Sequence, residues 1–159
     1  MLACAALSFA GLAGALAVQG LGGWQPCALC VLQRIVLLAI LLTACLGLVA
    51  PKTRLVAATL AASLGLLGAG VAAWQCWVVA HPVTVCGADP LGLLINASIL
   101  GKLMPWMFSS YGNCSIVPSV LGLPMPAWSG SLFALQCALA SLAAWRFVRR
   151  PRLLFVTPY

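Results

Sequence analysis

The stretch LCVLQRIVLLAILLTACLGLVAPKTR, residues 29–54, decides the fold. Its only charge ahead of the closing Lys52 and Arg54 is Arg34, and residues 35–51 after it are uncharged. A run of this kind supplies about the 20 apolar residues that a helix needs to cross ~30 Å of hydrocarbon. It is a continuous Leu/Ala/Val run without the strict alternation of a barrel strand, so a transmembrane β-barrel is excluded. Working outward, the same uncharged character recurs over 1–33, 55–88 and 103–145. Of the 159 residues, 64% are hydrophobic and 6% charged, with eight Lys+Arg and the single acid Asp89. Soluble domains carry about 25% charged residues, and nine charges cannot cover a water-facing surface. The net charge of +7 does not mark a nucleic-acid binder. Its cations form no broad patch interleaved with aromatics, and four of the eight lie between Arg146 and Arg152.

Length and punctuation place spans at about 3–22, 29–49, 55–77 and 128–147. The fold class read from the sequence is therefore an all-α membrane protein, a four-helix transmembrane bundle forming one domain over 1–159. Gly22-Gly23 closes the first span, Pro51 the second, and Pro124-Met125-Pro126 precedes the fourth. Residues 3–22 are read as a span rather than a signal peptide, since no charged n-region and no cleavage box accompany them. Four spans put both termini on one side together with 50–54. That side holds Lys52, Arg54, Arg146, Arg149, Arg150 and Arg152, and an excess of Lys and Arg marks the cytoplasmic face. Residues 23–28 and the long loop 78–127 then fall on the other, non-cytoplasmic side.

Topology sorts the eight cysteines. Cys4, Cys45, Cys76 and Cys137 lie within or at the ends of spans, where a free cysteine is ordinarily a small buried hydrophobe. Cys27, Cys30, Cys86 and Cys114 all fall on the disulfide-permissive side. Cys27 and Cys30 form a CxxC at the start of a helix, behind Pro26. The free N–H groups and positive dipole end there stabilise a thiolate. A structural zinc site needs four ligands in closely spaced pairs; Cys86 and Cys114 stand far apart and His81 is the only histidine, so no metal is expected. Two purely structural staples are the competing use of four outer cysteines. A CxxC ring is so small, however, that it staples little and suits breaking and reforming. Four cysteines allow three pairings, and spacing does not choose among them.

Arg34 follows Cys30 by one helical turn, on the same face. A cation about one turn into a span either snorkels to the interface or meets an electron-rich group. Beside a Cys30 thiolate, its guanidinium is suited to holding an anion and bonding the carbonyl oxygen of an apolar electron acceptor such as a quinone. No nucleotide-binding glycine motif and no haem CxxCH competes. In the outer loop, Leu91, Leu94, Ile95, Ile99, Leu103 and Trp106 recur at near-helical spacing, which predicts a short helix lying in the interface or packed on the bundle. Trp24, Trp74, Trp77, Trp106 and Trp128 fall near outer span ends or in that loop, as an aromatic belt would. The Asn96-Ala97-Ser98 sequon is read as chance.

The stretch Trp24-Gln25-Pro26-Cys27-Ala28-Leu29-Cys30-Val31-Leu32-Gln33-Arg34 resembles the PCxLCxxxR signature of the bacterial inner-membrane disulfide-forming protein B (DsbB) family. The resemblance extends to Pro51-Lys52, Trp74-Gln75, the pair Cys86 and Cys114, and Leu121-Gly122-Leu123-Pro124-Met125-Pro126-Ala127-Trp128 before the last span. Gln33 stands where the family often has an acid. The resemblance implies a protein-dithiol:quinone oxidoreductase with ubiquinone or menaquinone as electron acceptor and a periplasmic DsbA-like thiol oxidase as partner. It also implies roles for single residues. The partner dithiol attacks a Cys86–Cys114 disulfide at Cys86; Cys114 then attacks Cys27, and Cys30 leaves as a thiolate that Arg34 stabilises next to the quinone. Two rivals differ in chemistry or class: a quinone-linked reductase of the vitamin-K-epoxide type, which usually carries its CxxC in a later span, and a non-catalytic membrane subunit whose outer cysteines are staples.

Overall fold

The computed structural model describes residues 1–81 and 90–149. Cys86 and Asp89, like Arg150 and Arg152, lie outside the described residues. Four long helices dominate: α1 (Leu2–Gly22), α2 (Ala28–Val49), α3 (Arg54–Ala80) and, after the loop, α7 (Met125–Arg149). Each is long and apolar enough to cross a membrane. The chain is thus an all-α, multi-pass membrane protein; α1 and α2 start one residue before the spans read from sequence, and α3 and α7 overrun theirs at both ends. A short 3-10 turn, Pro51–Thr53, joins α2 to α3, and Gly23 ends α1 in the left-handed conformation with φ 63°, where a residue lacking Cβ is favoured.

The helices are inside-out relative to a soluble bundle. Leucines such as Leu42 (61% exposed) and Leu66 (68% exposed) face outward, because hydrocarbon solvates them as well as a protein core does. Small residues face inward. On α3 the buried small residues are Ala57, Ala58, Ala61, Gly65, Gly68 and Ala72, spaced three and four apart from Ala58 onward so that they fall along one face. α3 packs along α7 and α2, α2 along α1, and α1 touches α7 more lightly. Without a hydrophobic drive between helices, close backbone approach and polar pins hold such a bundle. One pin lies deep: Gln136 Nε2 of α7 donates to Ser8 Oγ of α1 at 2.8 Å, both residues fully buried. Of the four span cysteines only Cys4 is buried; Cys76 and Cys137 are intermediate and Cys45 is exposed on α2. The expectation of burial therefore fails for Cys45, since a thiol facing hydrocarbon needs no protein cover.

The loop between α3 and α7 is more broken than its spacing predicts. It forms α4 (Pro90–Ala97), α5 (Ile99–Leu103) and α6 (Pro105–Phe108). Ser98 interrupts the pattern by capping α5, its Oγ accepting from Gly101 N at 3.1 Å, and Pro105 starts α6. As a result the apolar positions divide: Ile95, Met107 and Phe108 are buried, while Leu94, Ile99, Leu103 and Trp106 stay exposed. A small hairpin, β1 (Ser119–Val120) and β2 (Leu123–Pro124), then leads into α7. Its turn residues Leu121 (φ 53°) and Gly122 (φ 80°) both lie in the left-handed region, as a two-residue turn matched to strand twist requires. Trp128 Nε1 donates to Val120 O at 3.0 Å and fixes the hairpin to the start of α7.

Candidate dithiol site

The site gathers where α1 ends, α2 begins, α3 ends and α7 begins. Cys27 is the N-cap of α2, with extended backbone (φ −85°, ψ 169°), and its sulfur accepts from Cys30 N at 3.3 Å. A helix N-terminus leaves such N–H groups without intrahelical partners, so the CxxC spacing brings the sulfur of Cys27 over an open donor. The two sulfurs lie 2.9 Å apart. Cys27 is 2% exposed, while Cys30 is partly open and lines a cavity of about 220 Å³.

Loop docking brings Cys114 to the same place. Tyr111 N and Gly112 N both donate to Pro26 O, at 3.1 and 3.0 Å. A Cβ on Gly112 would sit 2.2 Å from Gln25 O, so only glycine permits the approach. Asn113 Oδ1 accepts from Ser115 N and Ser115 Oγ, at 3.0 and 2.8 Å, bending the chain around Cys114 as Asx turns do. Farther back, the Asn96 carboxamide pairs both ways with the Ser110 backbone, at 3.0 and 2.8 Å. The Asn96 read as part of a chance sequon is a strap that sets the loop. Cys114 is buried and lies within hydrogen-bonding reach of Cys27. That contact, followed by Cys30 and by burial, pushes the Cys27 thiol well above the usual range.

Arg34 does not snorkel. At 6% exposed, it donates from Nη1 to Gln19 Oε1 at 2.7 Å and to Met107 O at 3.0 Å, and from Nη2 to Ala15 O at 3.4 Å. Gln19 Nε2 in turn donates to Trp106 O at 3.0 Å. The guanidinium therefore clamps α6 onto α1 and α2 while lining the cavity that Cys30 lines. In the sequence Gln75 stands out only as part of the Trp74-Gln75 pair. Fully buried on α3, it donates from Nε2 to Cys30 Sγ at 3.1 Å and Cys27 Sγ at 3.3 Å, and its Oε1 accepts from Gln33 Nε2 at 2.8 Å. The sequence signal for Gln19, Gln33 and Gln75 was their occurrence in otherwise apolar spans, where a polar side chain is costly without a partner. Of the five site residues read from sequence, Cys27, Cys30, Cys114 and Arg34 are gathered here, and Cys86 lies outside the described residues. Among the described residues no cluster of three or more His, Cys, Asp or Glu could hold a metal ion.

A helical membrane protein with an N-capped CxxC, and a loop cysteine packed against it, has the arrangement of a thiol-exchange oxidoreductase. Comparison with known proteins gives the family: the disulfide bond formation protein DsbB family matches residues 1–143, and the chain belongs to it. It is 40% identical over 141 residues to a disulfide bond formation protein B of Dechloromonas aromatica, covering 86% of this chain and 84% of the relative. To the protein of that name in Cupriavidus metallidurans it is 37% identical over 126 residues, 79% of this chain and 78% of the relative. With disulfide bond formation protein B 1 of Pseudomonas syringae it shares 36% over 141 residues, 87% and 83% of the two chains. Family membership makes the chain an oxidoreductase of disulfide bond formation and sets aside both rivals considered from sequence.

Proposed function

We propose that the protein reoxidises a DsbA-like periplasmic dithiol oxidase in the bacterial inner membrane and passes the two electrons to a membrane quinone, ubiquinone or menaquinone. The observation that carries this reading is the line Cys114, Cys27, Cys30: a loop sulfur against the buried Cys27, and Cys30 beside it opening onto a cavity shared with Arg34. Both termini are cytoplasmic and the dithiol end periplasmic. In support, Lys52, Arg54, Arg146 and Arg149 all fall at helix ends opposite Cys27, as the positive-inside rule asks.

In this reading the partner thiolate attacks Cys86 of a Cys86–Cys114 disulfide, forms a mixed disulfide with Cys86 and frees Cys114; the partner's second thiol then displaces Cys86 and the partner leaves oxidised. The Cys114 thiolate attacks Cys27 of a Cys27–Cys30 disulfide, forming Cys27–Cys114 and releasing Cys30 as a thiolate. Arg34 and the N-terminal N–H groups of α2 hold that charge. The cavity fits a flat ring bearing carbonyl oxygens: its walls include Leu37 and Leu132, and its polar lining includes Arg34, Gln19 and Gln75. A quinone there supplies a two-electron acceptor. Arg34 is placed to bond a carbonyl oxygen, and the apolar walls exclude water from the exchange.

The test mixes the purified chain in detergent with a reduced DsbA-like dithiol and a quinone and follows quinone absorbance. Turnover by the wild type, lost in Cys27→Ser and Cys86→Ser, is the expected result; an inert wild type would sink the reading.

A further inference from the structure

Two buried glutamines stand outside this relay. Gln75 aims one nitrogen at both sulfurs of the CxxC, and Gln33 holds the other end of the same carboxamide. A carboxamide has an acceptor oxygen and a donor nitrogen on one planar group. Because Gln33 Nε2 occupies the oxygen, the donor end is the one turned to the dithiol. Thiol and disulfide sulfurs are weak acceptors, whereas hydrogen bonds to an ionised acceptor are roughly twice as strong. The contact therefore strengthens when charge arrives on the sulfur.

We propose that Gln75 is a catalytic hydrogen-bond donor to the sulfur that leaves during thiol exchange, and that Gln33 is a positioning residue holding the Gln75 amide in its donating orientation. The proposal rests on reading Cys27 and Cys30 as the exchanging pair. As the Cys114 thiolate attacks Cys27 Sγ, the Cys27–Cys114 bond forms and the Cys27–Cys30 bond breaks. The electron pair of the broken bond stays on Cys30 Sγ, 3.1 Å from Gln75 Nε2. An amide N–H has no readily lost proton, so Gln75 stabilises the thiolate without quenching it. The donor is preorganised in a site shielded from water, where such bonds count most. Arg34 reaches the Cys30 region from the cavity side and Gln75 from α3, giving the leaving sulfur support from two directions.

The pairing also assigns a role to the donor at 33. Gln33 Nε2 holds the Gln75 oxygen; with no donor there, the amide is free to turn Oε1 toward the sulfurs, replacing a donor with an acceptor. Gln33→Leu is therefore expected to weaken the contact, though less than removing Gln75.

The test is the iodoacetamide alkylation rate of Cys30 in the reduced, full-length protein in detergent, resolved by peptide mass spectrometry. Rates at about pH 7 are divided by those at about pH 10, where thiols are largely ionised, so that changes in access cancel. This needs neither partner nor quinone. A wild type inert toward both would sink the functional reading and leave the alkylation result to be judged separately. Losing a hydrogen bond to a charged group is worth about tenfold. The normalised rate is expected to fall about tenfold in Gln75→Leu and further in Gln75→Glu, which sets a carboxylate against the thiolate. Gln33→Leu should also fall, by about three- to tenfold, and should add nothing in a Gln75→Leu background, as coupled residues behave. Rates within about twofold of wild type in both Gln75 variants would overturn the donor role. A slowed Gln75→Leu beside an unchanged Gln33→Leu would overturn the positioning role. The near-isosteric Gln75→Glu carries the test if Gln75→Leu fails to fold.

Discussion

Along α3 and α7 the helices meet through glycine and ring: a Cβ on Gly68 would stand 2.4 Å from Phe133 Cδ1, and one on Gly65 would stand 3.0 Å from Cys137 N. Along α1 and α7 the glycines divide: a Cβ on Gly11 would stand 2.6 Å from Leu132 Cδ2, whereas the next glycine is open. Gly14 of α1 has nothing within 4 Å of where its Cβ would stand, and it lines the cavity with Gly11, Ser129 and Leu132. The same residue type thus closes one seam and, at Gly14, leaves the other open. What differs is the neighbour: a buried Phe133 fills the space that Gly68 of α3 leaves, whereas no side chain fills the space beside Gly14 of α1. The closed seam carries stability; the open one leaves room for a ligand beside Cys30 and Arg34. The lesson is that a small-residue face in a membrane helix is ambiguous until the residue opposite is known.

The contrast can be broken at either seam. The largest effect belongs to the open end, where Cys27→Ser and Cys114→Ser each remove an exchanging sulfur. Turnover of dithiol with quinone should fall about a thousandfold or more, the scale of deleting a nucleophile, while the detergent melting temperature stays near that of wild type. Arg34→Ala comes next. It removes three hydrogen bonds of a charged donor worth about 1.5–3 kcal/mol each at most. We expect turnover to drop by about ten- to a hundredfold, with faster limited proteolysis of the loop at α6 as the second readout. Unchanged quinone dependence would show that Arg34 serves only as the loop clamp.

At the closed seam, Gly68→Ala forces a methyl into Phe133 and should cost about 1–3 kcal/mol of stability, read from unfolding in a denaturing detergent, with activity per folded molecule retained. A pH experiment returns to the site. The raised Cys27 thiol stays protonated at pH values where an ordinary thiol, with pKa about 8.5, is half ionised. Its alkylation near that pH should therefore be about tenfold slower than that of an unperturbed thiol, and should rise only at higher pH. The smallest effect is expected of Gly14→Ala. With open space around it, the added methyl should be neutral or stabilising by up to about 1 kcal/mol through helix propensity. A loss comparable to that of Gly68→Ala would erase the distinction between the seams.

Much of this molecule is legible in its sequence, and the reason is the solvent. In hydrocarbon each span must satisfy its own backbone, so the run after Arg34 reads as a helix without knowledge of its neighbours. The same holds for the N-capped Cys27, whose geometry depends on residues within one turn. Legibility fades in the loop. The apolar spacing from Leu91 to Trp106 fits one helix, but Ser98 and Pro105 divide it into three, since capping and a missing N–H act locally against the periodicity. Gln33 and Gln75 were visible as letters, yet their meeting joins α2 to α3 across 42 positions, and no local rule reports it. Gly112 is similar: only its contact with Gln25 O shows why the chain needs a glycine there.

The sequence by itself determined four membrane-capable helices, the cysteines at the α2 start and the cation one turn beyond, because charge, length and helical period are properties of single segments. The tertiary structure decided which sulfur Cys114 meets, that Arg34 is buried and clamped rather than snorkelling, and which end of the Gln75 amide faces the dithiol. These depend on how the helices and the loop sit against one another, and for the polar groups among them burial in a water-poor bundle leaves only a protein partner to satisfy each donor and acceptor.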